Sequence, residues 1–295
     1  MTSFPLRIFI LITGVFFCAT AIIFIKASAI HPVLLASLRL VVATAFLLPL
    51  FLRDLKREPI PLLECFRASF WPGILLGLHF MTWLAAARMT SAANAALIVN
   101  LAPVAMPFML YLLVKERVNR FEIFGTLLAM AGTAILFGAD FHISKTYFMG
   151  DVICLISMLF FTLYLALGRR KRTYKSIWIY VTPIYATSSV FCFICSLFFT
   201  HPLHEPWSIR EGLLLLGLGL IPTVLGHSIL NWAMTHLRGQ LVSIVNMGQF
   251  IFAGIMAYLF FSEVPASLFY PACALLISGA ILAMRTGKKP AMAKS

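Results

Sequence analysis

The chain has 295 residues, of which 61% are hydrophobic and only 11% charged. A soluble enzyme or binding domain of this length carries far more charge, so that class is excluded. The formal net charge of +13 does not indicate nucleic-acid binding, because the basic residues gather at the ends of apolar runs.

Those runs recur along the whole chain, each close to the roughly 20 helical residues that cross a bilayer. In order they are Leu6 to Ile25, Val33 to Leu52, Ser69 to Ala87, Ala92 to Val114 and Phe121 to Ala139, followed by Phe148 to Gly168, Ile177 to Thr200, Gly212 to Met234, Leu241 to Phe261 and Leu268 to Met284. Backbone amides cannot stay unpaired in lipid, and the alternation of a barrel strand is absent, so each run is expected to be a helix. Arg7, the first apolar run and Ala27-Ser28-Ala29 imitate a secretory signal. That run is longer than a signal core, Lys26 adjoins the supposed cleavage site, and nine more runs follow, so the first span is expected to be retained.

The Lys and Arg residues fall mainly in alternate gaps. Taking the N-terminus as inside, the inner side holds Arg7, the group at 53–67, Lys115, Arg117 and Arg120, the group at 169–175, Arg238 and the group at 285–294. Lys26, Arg39, Arg88, Lys145 and Arg210 are left outside. Acidic residues show no such bias, as the positive-inside rule expects. Both termini are thereby placed in the cytoplasm of a multi-pass inner (plasma) membrane protein. The run from Arg169 to Arg172 reads as a topology anchor beside anionic lipid.

A shift of 147 residues sets Met109, Tyr111, Leu112, Glu116, Leu128 and Gly132 on Met256, Tyr258, Leu259, Glu263, Leu275 and Gly279. Five spans, an odd number, separate the copies, so they would sit in the membrane with opposite orientation, an arrangement typical of secondary transporters. Gly14, Lys26, Pro32 and Arg39, the stretch Ala92 to Pro103, Glu116, Gly125 and Gly132, with Glu263 and Gly279 in the second copy, give the chain its family likeness. It resembles an EamA-type member of the drug/metabolite transporter superfamily over essentially its whole length. The resemblance implies an all-α integral membrane protein of ten transmembrane helices arranged as two inverted five-helix repeats, at residues 6–139 and 148–285. It also implies solutes such as amino acids, sugars, nucleotide derivatives or drugs. Where Pro103 stands in the first copy the second has Phe250, so a kink there would not be symmetric.

No Asp or Glu lies deep in an expected span; Glu116, Glu122, Glu211 and Glu263 sit near ends. A central carboxylate costs about 2.5 to 3.5 kcal/mol and is a common proton carrier in coupled transporters. Facilitated movement, or coupling through His79 or His227, is therefore expected. Thr223, His227, Asn231 and Thr235 recur every four residues on the eighth span, and Ser243, Asn246 and Gln249 every three on the ninth. Such stripes face protein or water, as a cavity wall or as hydrogen-bonding glue between helices. His79, Thr82 and Trp83 share a face of the third span. On the fourth, Asn100 is preferred over Asn94, from which it lies about 120° around the helix.

The solute-binding set expected from the sequence is accordingly His79, Trp83, Asn100, His227, Asn231 and Gln249. Trp232, Tyr111 and Tyr258 are candidate aromatic walls. Gly73 and Gly77 form a small face suited to close helix packing.

No HExxH, GxSxG, P-loop or GxGxxG motif occurs, so the chain is not expected to be an enzyme. The alternative, a polytopic membrane enzyme acting on a lipid-linked substrate, would need clustered Asp, His or Arg at one membrane face. His201, His204 and Glu205 make a weak metal motif, and the six scattered Cys read as buried small hydrophobes. No cofactor or metal is expected. The expected partners are a small organic solute, with an amphiphile such as an amino acid favoured, and membrane lipid, with no nucleic acid.

Overall fold

The computed structural model describes residues 3–90, 95, 98–139, 145–170, 175–261 and 267–285. Every regular element among them is helical. In chain order these are α1 (Phe4–Ala19), α2 (Ala21–Ala27), α3 (Pro32–Arg57), α4 (Leu62–Met89), α5 (Ala102–Val114), α6 (Arg120–Ala139) and α7 (Lys145–Arg170). Then come α8 (Ile177–Ser196), a short 3-10 helix (Pro202–His204), α9 (Ile209–Leu218), a π-helical segment (Gly219–His227), α10 (Ser228–His236), α11 (Gly239–Asn246), α12 (Gln249–Phe261) and α13 (Phe269–Met284).

Seven helical runs among the described residues are long and apolar enough to span a membrane: Phe4–Ala27, Pro32–Arg57, Leu62–Met89, Phe148–Arg169, Ile177–Ser196, Ile209–His236 and Gly239–Phe260. Helices α5 and α13 are apolar but shorter, at 13 and 16 residues. The expected fourth span opens at Ala92, and most of 91–97, Asn94 included, lies outside the described residues. Around the bundle, Phe9, Phe46, Phe108, Leu112 and Phe124 are exposed. An outward apolar belt of this kind suits lipid and not water.

Local chemistry sets the helix ends. Proline opens α1 and α3, where its missing N–H and fixed φ cost nothing. Ser176 Oγ accepts from Trp178 N–H at the start of α8, and Ser208 Oγ from Glu211 N–H at the start of α9. These side chains satisfy backbone donors that the helix cannot. The π segment forms where Pro222 sits four residues after Leu218. Proline has no N–H to offer the Leu218 carbonyl, and Thr223 Oγ1 donates to it instead at 2.8 Å. The turn widens there, as π segments do, often at functional sites.

The packing repeats across the chain. Helix α4 lies on α7 and α8, and α5 lies on α7. Under the 147-residue shift these pairings become α1 on the π segment and α10, α3 on the π segment and α9, and α1 on α12, all of which are present. The pairings α3 on α8 and α6 on α13 map onto themselves. Gly73 and Gly77 let α4 approach α8 closely: a Cβ on Gly73 would stand 2.7 Å from Thr187 Cβ, and one on Gly77 2.9 Å from the Phe191 ring.

Polar clusters tie the halves at both ends of the bundle. At one end Glu116 and Arg169 form a buried ion pair, and Arg169 Nη1 also donates to the carbonyls of Met234 (2.5 Å) and Leu237 (2.6 Å). Arg169 is thus an internal strut; the carbonyls that need its donors lie inside the bundle, and lipid does not compete for it. Beside it Arg238 pairs with Glu122. Burial works against the Arg238 charge, but the hydrogen bond and charge of Glu122 outweigh it and hold the guanidinium pKa above its ordinary value. At the other end Glu211 accepts from Ser28 Oγ at 2.6 Å and from Ala29 N–H at 3.0 Å, and Glu205 accepts from His31 N–H at 2.8 Å.

Candidate functional site

A cavity lies between the halves. Its polar wall is His79 and Trp83 from α4, Asn100 from the turn before α5, His227 from the π segment and Gln249 from α12. Cys18, Ala21, Val99 and Phe161 complete it.

One side of the wall is aromatic. The His79 ring stacks on Phe161 at 4.7 Å between centroids and on Trp83 at 6.1 Å, and the His227 ring lies 6.4 Å from it. Ser157 fixes the His79 tautomer. Its hydroxyl proton goes to the His79 carbonyl at 2.9 Å, so its oxygen accepts from His79 Nδ1–H, also at 2.9 Å. In the neutral ring Nε2 is then the acceptor nitrogen. Among the described residues Trp83 Nε1 and His227 Nδ1 have no hydrogen-bond partner. The wall therefore offers an indole N–H and an imidazole nitrogen.

The opposite side is an amide cluster. Asn100 Oδ1 accepts from Asn246 Nδ2 at 2.9 Å and from Gln249 Nε2 at 3.2 Å, and Gln249 Nε2 also reaches Asn246 Oδ1 at 2.7 Å. Asn100 belongs to the first half and the other two to the second, so this cluster also joins the halves.

Five of the six residues expected from the sequence meet at this cavity. Asn231 does not. Its Nδ2 donates to Tyr164 Oη and, at 2.7 Å, to the His227 carbonyl, so it braces α10 against α7 and holds the turn that carries His227. Thr82, Thr235 and Ser243 bond back to carbonyls of their own helices, as hydroxyls in helices do. Tyr111 and Tyr258 are about half exposed on the outer surface, and Trp232 stacks on His236 at 4.4 Å; none of the three lines the cavity. Phe161 and Ser157 gave no sequence signal, since each sits in an ordinary apolar helix and only packing brings it to His79.

The largest departure from the sequence reading is Arg39, which the charge count places at the outer surface. It is 0% exposed, inside α3. Its Nε donates to Thr223 Oγ1 at 2.9 Å, and its Cζ lies 4.1 Å from the centre of the Phe80 ring.

The profile of the EamA-like transporter family matches residues 6–138 and again 148–285. The chain belongs to the EamA-like transporter family. Members of that family are generally transporters and not enzymes, and this EamA protein is a multi-pass membrane protein. One solved crystal structure of a protein shares its fold with a TM-score of 0.78 at 20% identity, covering 97% of this chain and all of the other. No curated protein matches the sequence.

Proposed function

We propose that this EamA protein is a secondary transporter that moves a small organic metabolite, an amino acid or a similar amphiphile, across the cell inner membrane by alternating access. The observation that carries the reading is the cavity itself. Its wall is drawn from both family-matched segments, with His79, Trp83 and Asn100 from the first and Phe161, His227 and Gln249 from the second. A site shared by two repeats gains or loses contact with each side of the membrane as the repeats rock. The exchange of helix pairings under the 147-residue shift supports two inverted repeats, and polar ties at both ends supply two candidate gates.

Within this reading His79, Trp83, Asn100, His227 and Gln249 contact the solute, and Asn231 positions His227. Donors, acceptors and aromatic faces together suit a solute with one polar and one apolar part. The partners are that solute and membrane lipid, and both termini face the cytoplasm. Metabolite profiling of cells with and without the protein, followed by flux of the affected solute in proteoliposomes, tests the function. A solute whose flux requires the protein and falls in Gln249→Leu is the expected result. Unchanged profiles together with turnover of a lipid-linked substrate would replace the transporter by a membrane enzyme.

A further inference from the structure

Arg39 is a cation with both terminal nitrogens of its fork unused. The side chain is fully buried in an apolar bundle, and a guanidinium keeps its proton. Nε is engaged by Thr223, but among the described residues no acceptor reaches Nη1 or Nη2 and no carboxylate pairs with it. Its ionisable neighbours Cys18, Tyr185 and Cys192 carry no fixed negative charge. An arginine kept for packing alone would have its fork satisfied, since an uncompensated buried charge is among the most costly features of a fold.

The position of Arg39 bears on the cavity. One face of Phe80 carries the guanidinium, and the His227 ring meets the same phenyl group edge-on at 4.9 Å between centroids. His227 lines the cavity. Cys18, another wall residue, is a neighbour of Arg39 as well. Thr223, which holds Arg39, and His227 belong to the same π segment, so a change of turn in that segment moves the guanidinium anchor and the cavity wall together. Phe80 thus touches both the guanidinium and His227 of the wall.

We propose that Arg39 is the counter-charge for an oxyanion on the transported solute, a carboxylate or a phosphate, which its Nη1 and Nη2 bind when Phe80 moves off the guanidinium during the transport cycle. The inference rests on the transporter reading above and narrows the solute to acids. A planar fork matches two oxygens of a carboxylate or phosphate, and such charge-assisted pairs are strong in a dry site. Phe80 shields the charge by a cation–π contact while no acid is bound.

The test uses cells making the full chain as wild type, Arg39→Met or Arg39→Lys, against cells without it, with membrane levels measured alongside metabolite profiles and flux. Every solute that depends on the wild type is expected to carry a carboxylate or phosphate, and the profile tells which. Flux is expected to fall about tenfold or more in Arg39→Met at equal membrane level. In Arg39→Lys, which keeps the charge and loses the fork, the half-saturation concentration is expected to rise several-fold with little change in maximal flux. Dependent solutes without an acidic group, or wild-type flux in Arg39→Met, would overturn the proposal and leave the transporter standing. If Arg39→Met fails to reach the membrane, an Arg39→Lys protein with wild-type half-saturation assigns Arg39 a structural role and overturns it too. No dependent solute at all would remove the transporter reading, and this proposal with it.

Discussion

Gly125 and Gly279 meet back to back where α6 crosses α13: a Cβ on Gly125 would stand 2.6 Å from the Gly279 carbonyl oxygen, and one on Gly279 2.5 Å from that of Gly125. The 147-residue shift maps Gly125 to Ala272 and Gly279 to Gly132, and a Cβ on Gly132 would stand 2.6 Å from the Ala272 carbonyl oxygen. The crossing is therefore self-complementary in the manner of a two-fold contact, and it depends on side chains small enough for backbones to touch.

Gly125→Leu or Gly279→Leu is accordingly expected to force α6 and α13 apart and to destabilise the protein by about 1 to 3 kcal/mol or more. Gly132→Leu should do the same by symmetry. Thermal unfolding of the detergent-solubilised protein measures this, and a wild-type transition in all three would show that the helices do not cross there.

The Glu116–Arg169 pair should be asymmetric to mutation. Glu116→Leu removes the carboxylate that pairs with the buried Arg169 guanidinium and is expected to cost about 3 to 5 kcal/mol. Arg169→Met added to Glu116→Leu removes the charge that has lost this carboxylate and should recover part of that loss, although the Met234 and Leu237 carbonyls then lose their donor. A double variant no more stable than Glu116→Leu would mean that the pair is not the source of the defect.

Asn231 and Gln249 are expected to separate in phenotype. Gln249→Leu should lower flux with expression intact, because it removes a wall group of the cavity. Asn231→Ala takes away the bonds to Tyr164 and to the His227 carbonyl and should cost about 1 kcal/mol of stability for each. Equal and purely functional defects in both would place Asn231 at the solute after all.

If the imidazoles carry a coupling proton, flux should follow a pH gradient in the wild type and lose that dependence in the double variant His79→Gln with His227→Gln. A facilitator gives pH-independent flux in both proteins. Proteoliposome flux with imposed gradients decides between them.

For topology, a cytoplasmic reporter fused after Lys289 should be active, and labels near Lys145 and His204 should be reachable from outside. The reverse accessibility would overturn the charge-based orientation.

Hydropathy by itself determined that the chain folds as membrane helices, because lipid leaves the backbone no other choice, and the internal shift carried the pairing of the halves. The polar residues most expensive to leave in lipid, His79, Asn100, His227 and Gln249, were legible as site candidates for the same reason. Only the tertiary structure decided where each donor points. Thr223 and His227 are four residues apart, yet the wide π turn after Pro222 sends the first to Arg39 and the second to the cavity. Asn231 is taken by Tyr164, a residue of another helix that no periodicity reveals. Arg39 counted as a surface charge in the sequence because charge counting sees position along the chain, whereas burial depends on which helices close around α3. Pairwise packing settles such questions, and it is encoded jointly by residues far apart in sequence.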